Sequence, residues 1–156
     1  MSELAIGQMA PDFDMPIAGG SSVTLSGLKG KSVVLYFYPK DDTSGCTSQA
    51  IAFSQDIETF RSLSCEVIGV SKDKVASHDK FRAKYDLSVT LASDFGTNVC
   101  ETYGVWVEKS MYGRKYFGIE RTTFLIDKNG QIANIWRKVK IPGHAEAVMK
   151  AVKELG

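Results

Sequence analysis

Ser32-Val33-Val34-Leu35-Tyr36-Phe37-Tyr38-Pro39-Lys40-Asp41-Asp42-Thr43-Ser44-Gly45-Cys46-Thr47 is the stretch on which the fold turns. Val33 to Phe37 is a continuous apolar run, the pattern of a strand buried on both faces. From Cys46 onward, Ala50, Phe53, Ile57 and Phe60 recur at spacings of three and four, so one amphipathic helix is expected to begin at the cysteine. The chemistry lies at the junction. A sulfur in the first turn of a helix meets unpaired backbone N–H groups and the positive end of the helix dipole, and both favour an anion. A thiolate is a nucleophile and an oxidisable group. The neighbouring Asp, Thr, Ser and Gly residues do not suit a buried apolar corner, where a free cysteine acts as a small hydrophobe.

Working outward, strand and helix patterns alternate. Cys65 to Val70 is a second short apolar run, after which Asp73 is expected to cap a helix bearing Val75, His78, Phe81 and Tyr85 on one face. Val89 to Ala92 is a third strand candidate, and Asn98 to Tyr103 a brief helix ended by Gly104. Repeated strand–helix order implies right-handed crossovers and a parallel sheet centre. The last third differs. Thr122 to Asp127 and Ile132 to Trp136 flank Asn129-Gly130, a hairpin signal that makes these strands antiparallel. Ala145, Val148, Met149, Val152 and Leu155 form the stripe of a closing helix entered through Pro142-Gly143. The expected fold class is α/β: a thioredoxin-like domain over residues 1–156, with a mixed central β-sheet flanked by helices. An N-terminal β-hairpin extension is expected from Phe13 to Thr24, turning at Gly19-Gly20. Trp106 to Gly118 reads as one long irregular segment, a surface loop laying its aromatic rings over the sheet edge.

The rest of the composition narrows the function. A chain of 156 residues, 44% hydrophobic and 24% charged, suits one soluble domain with a full core. Net charge is +1, from 19 Lys+Arg against 18 Asp+Glu, which gives no electrostatic case for nucleic acid or a membrane surface. No run approaches the roughly 18 to 20 apolar residues needed to span a bilayer. Met1 to Gln8 lacks a basic region and an apolar run, so no secretory leader is read there. Three cysteines without close pairing point to a reducing compartment, and a cytoplasmic location is expected. Cys46, Cys65, Cys100, His78 and His144 show no metal-ligand spacing, and neither a metal nor a cofactor is expected. His78, on an apolar helix face, reads as a satisfied core-edge histidine, and His144, beside the last helix, as a surface or capping residue.

Pro39, Thr43 and Cys46 form Pro-x-x-x-Thr-x-x-Cys, and Arg121 lies in Gly118-Ile119-Glu120-Arg121-Thr122-Thr123-Phe124-Leu125-Ile126-Asp127. With Ala10-Pro11-Asp12-Phe13, Tyr36-Phe37-Tyr38-Pro39, Tyr103-Gly104-Val105-Trp106 and Gly143-His144, the chain resembles the peroxiredoxins along nearly its whole length. Within them it is similar to the peroxiredoxin Q or bacterioferritin comigratory protein group. The resemblance implies a thiol-dependent peroxidase that reduces hydrogen peroxide and organic hydroperoxides through a sulfenic acid on Cys46. It implies a catalytic set of Cys46, Thr43, Arg121 and Pro39, with thioredoxin, glutaredoxin or glutathione as reductant. Many members of that group are monomers, so a monomer is expected.

The residue types fit that chemistry on physical grounds. A thiolate attacks one peroxide oxygen while the other leaves with growing negative charge, which calls for alignment and for donors at the leaving oxygen. Arg121 supplies a permanent charge. Thr43 is expected both to accept a peroxide proton and to donate toward sulfur or oxygen. The Cys46 N–H is a further donor. Pro39, with no N–H and a stiff ring, is expected to wall off water. Full ionisation of an ordinary thiol gains only about thirtyfold at neutral pH, so larger acceleration rests on these partners.

One part of the pattern is broken. Members of the group often carry a resolving cysteine five residues after the reactive one, but position 51 is Ile51. A variant places it on the following helix, yet Asp73 to Tyr85 contains none. Cys65 opens a core strand and Cys100 starts a short helix, both read as structural. A one-cysteine mechanism with an external thiol follows. A thioredoxin-type oxidoreductase would need a second cysteine in Cys46-Thr47-Ser48-Gln49, which is absent. The remaining alternative is a non-enzymatic peroxide sensor or redox interaction module that uses Cys46 oxidation.

Overall fold

A computed structural model describes residues 4–155, so part of the leader reading, Met1 to Glu3, lies outside the described residues. The chain opens with the expected hairpin, β1 (Asp14–Pro16) antiparallel to β2 (Ser22–Thr24). Gly19 and Gly20 turn it at φ +97° and +95°, a backbone that costs glycine nothing. β3 (Ser32–Phe37) follows and is buried at every position. It is the middle strand of five. On one side lie β4 (Cys65–Ser71) and β5 (Thr90–Ser93), both parallel to it, and on the other β8 (Thr122–Ile126), antiparallel to β3, and β9 (Ile132–Trp136), antiparallel to β8.

Alternation along β3 divides the core in two. Val34, Tyr36 and Tyr38 face one layer with Phe53, Phe60, Phe81 and Val148, while Val33, Leu35 and Phe37 face another with Phe13, Tyr103 and Phe124. The first layer is covered by α1 (Ser44–Gln55), α2 (Ile57–Ser62), α3 (Val75–Tyr85) and α5 (His144–Leu155). The second is covered by the N-terminal segment and α4 (Val99–Thr102). Burial of both sheet faces explains why β3 is apolar without alternation.

Several expectations need correction. The helix read through Phe60 is two helices, because Asp56 at φ −102°, ψ 9° leaves helical geometry between α1 and α2. Phe53, Ile57 and Phe60 stay buried across the break, since near-continuous spacing keeps them on one side. Asp73 does not cap α3. Lys74 takes that place, and the Asp73 carboxylate instead accepts the Ser71 hydroxyl at 2.7 Å and the Asp41 N–H at 2.8 Å. Leu155, read into the last stripe, is exposed at the end of α5.

The segment Trp106 to Gly118 is a hairpin rather than a loop. β6 (Trp106–Met111) pairs antiparallel with β7 (Arg114–Ile119). Its two-residue turn places Tyr112 at φ 53° and Gly113 at φ 77°, the primed geometry that matches strand twist. The adjacent charged pairs Glu108-Lys109 and Arg114-Lys115 hid the strand pattern, and Tyr-Gly is a weak turn signal. The Asn129-Gly130 hairpin is antiparallel as expected. Gly130 alone is left-handed (φ +84°), and Asp127 accepts the N–H groups of Asn129 and Gln131 at 2.9 and 3.0 Å.

Candidate active site

β3 ends at the sheet centre and its chain turns through residues 38–43 into α1. Asp42 makes the turn with φ 58°, and Thr43 (φ −93°, ψ 156°) stands at the N-cap position. The first helical hydrogen bond runs from Thr47 N–H to Thr43 O at 2.9 Å, so the N–H groups of Ser44, Gly45 and Cys46 lack helical acceptors. Cys46 is the third helical residue and 1% exposed, on the inward side with Gln49, Ala50 and Phe53. The sequence-based placement at the head of a helix is correct.

Arg121 comes from the other half of the fold, immediately before β8, which is the antiparallel neighbour of β3. Its Nη2 lies 3.3 Å from the Cys46 sulfur, and its Nη1 donates to Gln49 Oε1 at 2.6 Å. Asp94 is taken by Lys72 at 3.1 Å and is not a partner of Arg121. Gln49 is a site residue that motif reading missed. Its signal was positional, because residues three apart on a helix share a face. Gln49 is buried, and its Nε2 has no hydrogen-bond partner among the described residues. Gly45 makes room for the arginine, since a Cβ there would meet Arg121 Nη2 at 3.3 Å and Ile141 Cδ1 at 3.2 Å.

Thr43 and Pro39 are less enclosed. The Thr43 hydroxyl donates to Lys40 O at 2.9 Å, so its proton is committed and its lone pairs remain for accepting. The expected donation toward sulfur is therefore not made. Thr43 occupies the N-cap position without a side-chain capping bond. Pro39 opens the same turn and is exposed.

The two histidines differ from each other. His78 is fully buried, with Nδ1 2.7 Å from Asp41 Oδ2 and Nε2 2.9 Å from Ala92 O, a satisfied core histidine. His144 is not at the surface. It is the first residue of α5, buried edge-on against Phe53 and Trp136, with Nε2 2.8 Å from Thr123 Oγ1. Burial, and then Arg121, push its pKa down to about 4. Packing from the preceding Pro142-Gly143 turn carries it inward, which local sequence does not reveal. Asp41, Asp73 and His78 bring their ligand atoms within 4.8 Å of one another. The Asp73 and Asp41 oxygens already accept N–H and O–H groups and His78 Nδ1 pairs with Asp41 Oδ2, so the three form a hydrogen-bonded cluster.

The other two thiols lie elsewhere. Cys65 pairs in register with Ser32 at the start of β3, about 17 Å along the strand from the end that leads to Cys46. Burial pushes its thiol up to about 12. Cys100 is buried in the layer across the sheet, where burial and then Asp94 raise its thiol pKa strongly. Around Cys46 the arrangement joins a nucleophilic sulfur, a fixed cation, helix-head N–H donors and an accepting hydroxyl. Such a set can stabilise negative charge that develops beside the sulfur.

Comparison with known proteins shows the family. The AhpC/TSA family profile matches residues 6–135. A Coxiella burnetii protein provisionally named peroxiredoxin bcp is 49% identical over 146 residues, covering 94% of this chain and 97% of that relative. The peroxiredoxin Bcp of Bacillus subtilis is 43% identical over 152 residues, 97% of each chain. Among solved structures, a Xylella fastidiosa PrxQ variant superposes with a TM-score of 0.93 at 38% identity, covering 99% of both chains. The bacterioferritin comigratory protein of Xanthomonas campestris, studied for its alkyl peroxide reduction activity, gives 0.87 at 41% identity, with 92% and 91% covered.

Proposed function

The chain belongs to the AhpC/TSA family, in its Bcp/PrxQ peroxiredoxin group, and on that premise we propose that it reduces hydroperoxides with Cys46 as its one working thiol. The observation that carries the proposal is the 3.3 Å approach of Arg121 to the Cys46 sulfur at the head of α1. The Cys46 thiolate attacks the terminal oxygen of ROOH. The O–O bond breaks, an S–O bond forms, and the leaving alkoxide takes a proton to depart as ROH. Arg121 and the helix-head N–H groups stabilise charge on the leaving oxygen, and Thr43 accepts the peroxide hydrogen bond that sets the angle of attack. Pro39 has no N–H and so cannot itself compete for the sulfur.

An external thiol then attacks the Cys46 sulfenic acid. Water leaves and a mixed disulfide forms, and a second thiol releases Cys46 as a disulfide of the reductant departs. Support comes from the positions of Cys65 and Cys100, since a disulfide requires Cα atoms within about 7 Å. Thioredoxin, glutaredoxin and glutathione are the candidate reductants, and the enzyme acts as a monomer in a reducing, cytoplasmic setting.

The test is steady-state consumption of hydrogen peroxide and an alkyl hydroperoxide with each of the three reductants, repeated on Cys46→Ser and Cys100→Ser. Loss in the first variant alone is expected, with Cys46 trapped by a sulfenic-acid probe after one equivalent of peroxide. A stoichiometric Cys46–Cys100 disulfide in peptide mapping would overturn the one-cysteine mechanism. Consumption of only one equivalent with every reductant would mark a sensor instead.

A further inference from the structure

The turn that carries Thr43 and Cys46 is held from below by α3 at two successive residues. Asp41 is buried, and its carboxylate accepts the Tyr38 hydroxyl at 2.6 Å and the Ser77 hydroxyl at 2.8 Å, with His78 Nδ1 at 2.7 Å. The Asp41 N–H donates to Asp73 at 2.8 Å. Asp42, in left-handed geometry that disfavours any side chain, accepts Lys84 Nζ at 2.8 Å and the Tyr85 hydroxyl at 2.5 Å. His78, Ser77, Lys84 and Tyr85 all belong to α3.

Proton accounting makes His78 the centre of this brace. Ala92 O accepts only, so the hydrogen on Nε2 points to it. Nδ1 faces a carboxylate that already receives two hydroxyl protons, so a second proton lies between Nδ1 and Asp41 Oδ2. The ring and the carboxylate together form a buried, charge-balanced, fully satisfied pair. Removing either partner leaves the other unpaired inside the core, which is more disruptive than losing an exposed bond.

We propose that His78 and Asp41 are positioning residues for peroxide reduction: the buried pair anchors the 38–43 turn to α3, setting the Thr43 hydroxyl and the head of α1 against Arg121. Neither touches the peroxide. The inference rests on Cys46 being the peroxide-reacting thiol. Displacing a reacting group by about 1 Å can cost about 100-fold in rate, so a turn loosened at Asp41 is felt at Thr43 two residues later.

The experiment measures single-turnover oxidation of Cys46 by hydrogen peroxide in wild type, His78→Ala, Asp41→Ala, the double variant and Asp41→Asn, with melting temperature and circular dichroism for each. Both alanine variants are expected to lose about 10- to 100-fold in the oxidation rate, with reduction of the sulfenic acid by thiol less affected. The double variant should be no slower than the worse single one, because the two act as a unit. Asp41→Asn is the informative arm. Its amide can donate to a singly protonated His78, so geometry is restored and the rate should return to within about threefold of wild type, with the net charge of the pair unchanged. Nitrogen NMR should show both His78 ring nitrogens protonated or hydrogen-bonded to one shared proton in wild type, and one free of protons in Asp41→Asn. A folded His78→Ala protein with wild-type oxidation rate overturns the inference while leaving Cys46 chemistry intact. Absence of peroxide oxidation in wild type would instead defeat the reading on which it rests. Rate losses that merely follow the unfolded fraction in every variant, Asp41→Asn included, would assign the pair to stability alone.

Discussion

Gln49 accepts the Nη1–H of Arg121 at 2.6 Å and thereby leaves Nη2 3.3 Å from the Cys46 sulfur. Cys46 and Gln49 project from the same side of α1, so the helix that holds the nucleophile also aims the cation. A free arginine samples many rotamers, and ordering it costs on the order of 1.5–2 kcal/mol at the moment of reaction. Prior fixation by Gln49 removes most of that cost from the barrier.

Gln49→Leu keeps the volume and loses the acceptor. Its rate of Cys46 oxidation by peroxide is expected to fall about 10- to 30-fold, given that each ~1.4 kcal/mol is tenfold. Gln49→Glu keeps an acceptor oxygen and should fall less. Stopped-flow oxidation of the two variants checks the order, and equal rates for Gln49→Leu and wild type would remove Gln49 from the site.

Gly45→Ala separates activity from stability. Alanine is the better helix former, by up to about 1 kcal/mol in a helix interior. The added methyl would lie 3.3 Å from Arg121 Nη2 and 3.2 Å from Ile141 Cδ1, tighter than ordinary packing. Arg121 must yield by tenths of an ångström, so a roughly fivefold to tenfold loss of peroxide rate is expected without a fall in melting temperature. Measuring both on one preparation decides it. A large drop in melting temperature would mean that the helix, not the arginine, yields.

The readable part of this protein was periodic or motif-bound. β3 announced itself because a central strand covered on both faces admits only apolar residues, and Cys46 because the strand-to-helix switch falls beside it. Arg121 lies 75 residues away, and only the family motif singled it out. What stayed hidden depended on tertiary packing. Asp73 looks like a helix cap in sequence but answers to Asp41 from a distant turn. His144 follows Pro-Gly and looks superficial, yet the placement of α5 over the sheet buries it. Apart from Ile119 at its end, the β6–β7 hairpin is exposed or only half-buried, so nothing imposed alternation along its strands.

Cys65 and Cys100 should be silent in native protein. Burial pushes the Cys65 thiol up to about 12, so at pH 8 only about one molecule in ten thousand carries a thiolate there. Cys100 is raised further by burial and by Asp94. Iodoacetamide at pH 8 is expected to leave both unmodified until denaturant is added, and Cys65→Ser and Cys100→Ser should each keep peroxide turnover within about twofold. Rapid native labelling of Cys100 would show that the α4 layer opens.

Neutral His144 gives a pH dependence of stability whose sign can be worked out. The folded state holds the ring near 4 through burial and then Arg121, against an ordinary value of 6.5. Between those limits the unfolded chain binds a proton that the folded chain refuses, so stability rises with pH across this window. The contribution is complete above pH 6.5 and lost progressively as pH falls to 4, with a ceiling of about 3 kcal/mol. His144→Phe keeps a ring against Phe53 and Trp136 while removing the titration, at the cost of the Thr123 hydrogen bond. Urea unfolding of wild type and His144→Phe at half-unit intervals from pH 7.5 to 4.5 should therefore show wild type losing stability relative to the variant as the solution is acidified. Curves that run parallel across that range would mean that His144 accepts its proton in place.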